Sequence, residues 1–142
     1  MYRKILVALE NGPADAALLP HVAELARQLH SALVLLHVAD GFAARYFEDL
    51  SLAESEEVKQ DRDYLEAKAI ELRASGLQVT VLLAMGEPPE QVLKAAQAEQ
   101  CDLIAMASHG HRFLGDLIHG STISEVRHKS PIPLLIVRGK GG

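Results

Sequence analysis

The sequence predicts an α/β protein, an open and doubly wound parallel sheet between two layers of helices. Three observations predict it. Five apolar runs of strand length recur along the chain. Each is nearly continuous in apolar residues, as in strands covered on both faces. The segments between them carry helical periodicity. Such alternation, joined by right-handed crossovers, gives a three-layer sandwich around one sheet. A chain of 142 residues fits a single domain over 1–142, a size that buries roughly two thirds of the unfolded surface without staples.

The first run, KILVAL (4–9), opens the sheet. From Leu18, the apolar residues Leu18, Val22, Leu25 and Leu29 recur at helical spacing, with Glu24, Arg27 and Gln28 on the other side. Pro20 is expected in or near the first turn of this helix, where a missing N–H is tolerated. ALVLLHV (32–38) is the second strand. Residues 39–55 show no clear periodicity and read as a long irregular flap. Val58, Leu65, Ala69 and Leu72 then mark a second helix, whose polar stretch ESEEVKQDRD reads as a solvated face and whose stop is Gly76.

QVTVLL (78–83) is the third strand, and GEPPEQVLKAAQAEQ places prolines at the start of a third helix with Val92, Leu93 and Ala96 facing inward. DLIAMA (102–107) is the fourth strand. A fourth helix is expected after Gly120, where Thr122 and Glu125 match a capping box, with Pro131 ending it. PLLIVR (133–138) closes the sheet, and the terminal GKGG reads as a flexible tail.

Composition narrows the function classes. Hydrophobic residues make up 49% and charged residues 23% of the chain, and no apolar stretch approaches the ~20 residues that span a bilayer. The start, MYRKILVALE, lacks a signal-type apolar core with a cleavage site, and the one cysteine, Cys101, has no internal partner. Both point to a reducing, cytoplasmic setting, with Cys101 a small packed hydrophobe. A net charge of −5 opposes long-range attraction to nucleic acid or anionic membrane, so neither is expected as a partner. Locally the balance differs: between 107 and 129, Arg112, Arg127 and Lys129 outweigh Asp116 and Glu125, with His109, His111, His119 and His128 nearby. That stretch is suited to a small anion.

ASHGHRFLGDLIHGSTISEV, residues 107–126, carries three glycines and three histidines between the fourth strand and the fourth helix. In open α/β sheets ligands bind beyond the carboxyl ends of the strands. Gly110 supplies backbone freedom, Gly120 allows a phosphate to approach a helix start without a Cβ in the way, and Ser121 adds a hydroxyl. The same residues also fit ordinary turn glycines and helix caps. A Walker A loop is excluded because no Gly-Lys-Ser/Thr follows, and the dinucleotide fingerprint is missing after the first strand.

The loop resembles the nucleotide-binding signature of the universal stress protein family, Gly-x2-Gly-x9-Gly-Ser/Thr, aligned here as Ala107-x2-Gly110-x9-Gly120-Ser121. The resemblance extends to KILVALE, LVLLHV, GEPPEQVLKAA and SPIPLLIVR. It implies a flavodoxin-like sheet, akin to the adenine-nucleotide alpha-hydrolases, of order 3-2-1-4-5. It also implies a homodimer formed through the last strand, 133–138, and ATP, with Mg²⁺, as the bound ligand. By position, Gly110, Gly120 and Ser121 would hold the phosphates beside Thr122. The Val38 backbone would meet the adenine, and Glu10, which stands where the family has aspartate, would face the nucleoside. Ala8 and Leu9 on the first strand, Met106 and Ala107 on the fourth, and His109, His111 and Arg112 in the loop complete the expected contacts. Ala107 replaces the first glycine of the signature, a substitution that matters if the position needs positive φ.

His109 and His111 form an H-x-H pair, but no cysteine or carboxylate completes a zinc spacing, so phosphate-adjacent histidines are the favoured reading. Ser121 has no sequence-visible base, and the loop shows no water-activating carboxylate pair or lysine. The expected role is therefore a sensor or regulator in which bound ATP orders residues 107–121 and 39–55 and changes the surface offered to a protein partner. The alternatives are a dimeric interaction module that binds no nucleotide and a slow ATP hydrolase.

Overall fold

The computed structural model describes residues 1–39, 51–108 and 117–139, apart from the side chains of 51–55 and 117–121. Strands and helices alternate along these residues: β1 (Lys4–Leu9), α1 (Asp15–Leu29), β2 (Ala32–Ala39), α2 (Ser51–Ala74), β3 (Val79–Met85), α3 (Pro88–Ala98), β4 (Leu103–Ser108), α4 (Leu117–Lys129) and β5 (Leu134–Arg138). All strand pairs are parallel, and the sheet runs β3-β2-β1-β4-β5. This is the flavodoxin-like order that the resemblance implies.

Continuous apolar strands are explained by burial on both faces. Along β1, Ile5, Val7 and Leu9 point into one cluster with Leu33, Leu35, Leu103, Ala105 and Ala107. Leu6 points into the other with Val34, Leu36, Ile104 and Met106, the period-two alternation of a strand. The first cluster is closed by α1, through Leu18, Val22 and Ala26, and by α2, through Leu65 and Ala69. The second is closed by Val92 and Ala96 of α3 and Val126 of α4. Each fully buried leucine in these layers stabilises the fold by about 1.5–3 kcal/mol in transfer terms.

Helix ends follow local chemistry. α2 stops where Gly76 takes φ +98° and donates its N–H to the Arg73 carbonyl at 2.9 Å, a left-handed exit that glycine adopts without strain. Pro88 begins α3, where no intrahelical acceptor is lost.

Four expectations are corrected. Pro20 is the sixth residue of α1 and lies on its exposed side, past the first turn, because the helix begins as early as Asp15. Part of the stretch expected to be an irregular flap is regular structure: Ala39 ends β2 and 51–55 belong to α2, while 40–50 lie outside the described residues. α4 starts at Leu117 rather than after Gly120. Thr122 is therefore an interior helical residue, 4% exposed, and cannot cap: Thr122 and Val126 are buried one turn apart and Ile123 packs on the same cluster, so the apolar face begins before the polar signal. Finally, Gly139 of the expected tail is tied down. Its N–H donates to the Ser108 carbonyl at 2.7 Å, and a Cβ there would come within 3.3 Å of that oxygen and 3.4 Å of the Ala14 Cβ.

Candidate functional site

The sheet order reverses at β1. From β1 the chain crosses through α1 to β2 on one side, whereas β4, on the other side of β1, is followed by α4 in the opposite layer. Helices that leave adjacent strands toward opposite faces open a crevice at the carboxyl ends of those strands.

The expected site residues that the structure describes converge on this edge. Ala8 and Leu9 end β1 and Glu10 follows it. Leu9 pairs with His37 on β2, so Val38 lies one step further toward the same edge. Met106 and Ala107 are buried in the last half of β4. Ala107 pairs with Val137 in the regular ladder, and positive φ outside glycine occurs among the described residues at Asn11, His30 and Gln100. The alanine thus stands in ordinary extended backbone, where its Cβ brings no conformational strain. Gly120 and Ser121 lie in the first turns of α4, followed by the buried Thr122. His109, Gly110, His111 and Arg112 lie outside the described residues.

The local cationic cluster is corrected in part. Arg127, His128 and Lys129 occupy the last turn of α4. At 1.5 Å per residue that turn is about 18 Å from Leu117, toward the amino ends of the strands. There these side chains complement the helix dipole, and Lys129 Nζ pairs with Glu125 Oε2 at 3.0 Å.

A polar network holds the turn after β1. The Asp15 carboxylate, on a residue 2% exposed, accepts the Glu10 N–H at 3.0 Å, the Asn11 N–H at 2.9 Å and the Tyr64 hydroxyl at 2.8 Å. Burial, and then the bond to this carboxylate, push the Tyr64 phenol above its ordinary pKa, so it donates throughout the physiological range. Asn11 has φ 57°, the left-handed region that asparagine tolerates. Its Nδ2 donates to Asp61 on α2, at 3.1 Å to Oδ1 and 3.3 Å to the carbonyl oxygen. His37 Nδ1 lies 3.0 Å from the Leu9 carbonyl oxygen. A carbonyl only accepts, so Nδ1 carries the proton. Its Nε2 is 3.5 Å from Asp61 Oδ2.

His37 is thus a hydrogen-bonded, largely covered residue of the second strand. Asn11, Asp15, Asp61 and Tyr64 were not legible as site residues. The segment ENGPAD offered a partial signal, since Asn-Gly marks a left-handed turn with an acidic residue following at a helix start. Asp61 was hidden in the polar run of α2, yet its side chain is only 25% exposed.

The model of the universal stress protein family matches residues 1–138. A universal stress protein of Thermus aquaticus is 32% identical over 143 residues, covering 97% of this chain and all of that protein. Universal stress protein MJ0577 of Methanocaldococcus jannaschii is 28% identical over 160 residues, covering 99% of this chain and 97% of the relative. Its solved structure superposes with a TM-score of 0.84 over 100% of this chain and 99% of that one, at 29% identity. A universal stress protein from Archaeoglobus fulgidus, solved in complex with dAMP, has the same fold, with a TM-score of 0.70 at 19% identity over 96% of this chain and 98% of that one.

Proposed function

This chain belongs to the universal stress protein family, and we propose that it binds an adenine nucleotide, ATP with Mg²⁺, in the crevice beyond β1 and β4. The observation that carries the reading is the reversal of sheet order at β1, with the glycine-rich segment following the adjacent strand. A family member of the same fold carries dAMP, which supports an adenine nucleotide as the ligand class.

In this reading the Val38 backbone receives the adenine and Glu10 faces the nucleoside. Gly110, Gly120 and Ser121, with His109, His111 and Arg112, surround the phosphates. Because α4 begins at Leu117, the amides lacking intrahelical acceptors belong to its first turn. Gly120 would then serve by leaving room for a phosphate rather than by donating a free N–H. Mg²⁺ would neutralise phosphate charge, which a protein of net charge −5 would otherwise repel. The protein acts as a nucleotide-responsive regulator rather than a catalyst, and it works as a homodimer through β5.

Thermal unfolding with and without ~1 mM Mg-ATP tests this reading. A dissociation constant near ~10 μM gives about 2.7 kcal/mol of stabilisation, a shift of several degrees that Gly120→Val abolishes. If no adenine nucleotide moves the transition, the nucleotide reading falls and a dimeric interaction module takes its place.

A further inference from the structure

The backbone at Glu10 and Asn11 lies just past the point where the β1 ladder ends, so neighbouring strands no longer fix it. It is fixed instead from outside the sheet. Asp15 accepts both amides, and Tyr64 of α2 donates to Asp15. Asp61, one turn before Tyr64 on the same helix, accepts from the Asn11 side-chain Nδ2 and faces His37, which is bonded to the Leu9 carbonyl. Two side chains of α2 thus reach the end of β1 by separate routes, at 2.8 Å and 3.1 Å. Asparagine adopts the left-handed conformation at Asn11 readily, so what α2 adds is not the conformation but the position in which the turn is held.

We propose that Asp61 and Tyr64 are positioning residues for the nucleoside end of the site, setting the Leu9–Asn11 backbone through Asn11, His37 and Asp15. The inference rests on the nucleotide-binding reading. It makes α2 part of the binding machinery, so that displacement of this helix and nucleoside affinity become coupled.

The test uses the full chain with Asp61→Ala, Asp61→Asn and Tyr64→Phe, and Leu72→Ala as a control on the same helix. Leu72 packs on the core outside the network, so its truncation destabilises α2 without touching the β1 turn. Asp61→Ala and Tyr64→Phe are expected to weaken Mg-ATP by about three- to tenfold and to speed exchange of the Glu10 and Asn11 amides in nucleotide-free protein. Asp61→Asn keeps an acceptor for Asn11 and is expected to restore wild-type affinity. Leu72→Ala is expected to lower Tm and leave ATP affinity unchanged. The proposal is overturned if Leu72→Ala weakens ATP as much as Asp61→Ala does, if Asp61→Ala leaves affinity unaltered, or if both amides exchange at the wild-type rate. A wild-type protein that binds no ATP would remove the nucleotide reading alone, and amide exchange would still decide the positioning role.

Discussion

Asp102 shows how one side chain joins distant parts of the chain. Its carboxylate accepts the Arg3 N–H at 2.9 Å and 3.1 Å and the Lys4 N–H at 3.1 Å, while its own N–H donates to the Lys4 carbonyl at 2.9 Å. Desolvation works against ionisation, but the donated amide bonds outweigh it and hold the acid below its ordinary value of 3.8. A depressed carboxylate stabilises the fold above its unfolded value and loses that contribution as pH falls through the folded one. Asp102→Asn is therefore expected to lower Tm at neutral pH, with the deficit shrinking as the pH drops below about 3.8; thermal scans across that window provide the check. Next to it, burial pushes the Cys101 thiol up to about 11, so the residue is a packed hydrophobe with little thiolate.

At the scale of elements, α1 carries a removable defect. Pro20 sits on the exposed side of the helix interior, where its nitrogen cannot donate to the carbonyl one turn back. Pro20→Ala is expected to raise the unfolding free energy by about 1–3 kcal/mol, part of the interior-proline penalty being offset by the freer unfolded chain. Chemical denaturation measures it, and an unchanged midpoint would mean that the helix bends to absorb the ring. Elements were legible where burial and periodicity coincide: the runs beginning at Lys4 and Ala32 became strands because both sheet faces are covered. They were misread where a polar motif competed with a buried face. Thr122 fits a cap by composition, but its burial beside Val126 carries α4 back to Leu117. The site was legible as a place and less so as a network. Asp61 and Tyr64 touch the β1 turn across 50 and 49 residues of chain, and no local pattern records such a contact.

For the whole molecule, the sheet ends at β5, and Ile136 on that strand is 40% exposed. An apolar edge strand invites pairing with a second copy. Sedimentation at micromolar concentration is expected to give a dimer that Ile136→Lys converts to monomer; a strictly monomeric wild type would count against β5 as the interface. The central place of β1 also sets a clock. β1 is the first strand to leave the ribosome, yet its β4 side is covered only after Asp102 and β4 are made, 98 residues beyond Lys4. At roughly 5–20 residues per second that interval lasts about 5–20 s. Throughout it, one edge of β1, the strand whose Ile5, Leu6 and Val7 end up wholly buried, stays open to other nascent chains, so the middle of the sheet is at risk for most of the time the chain takes to make.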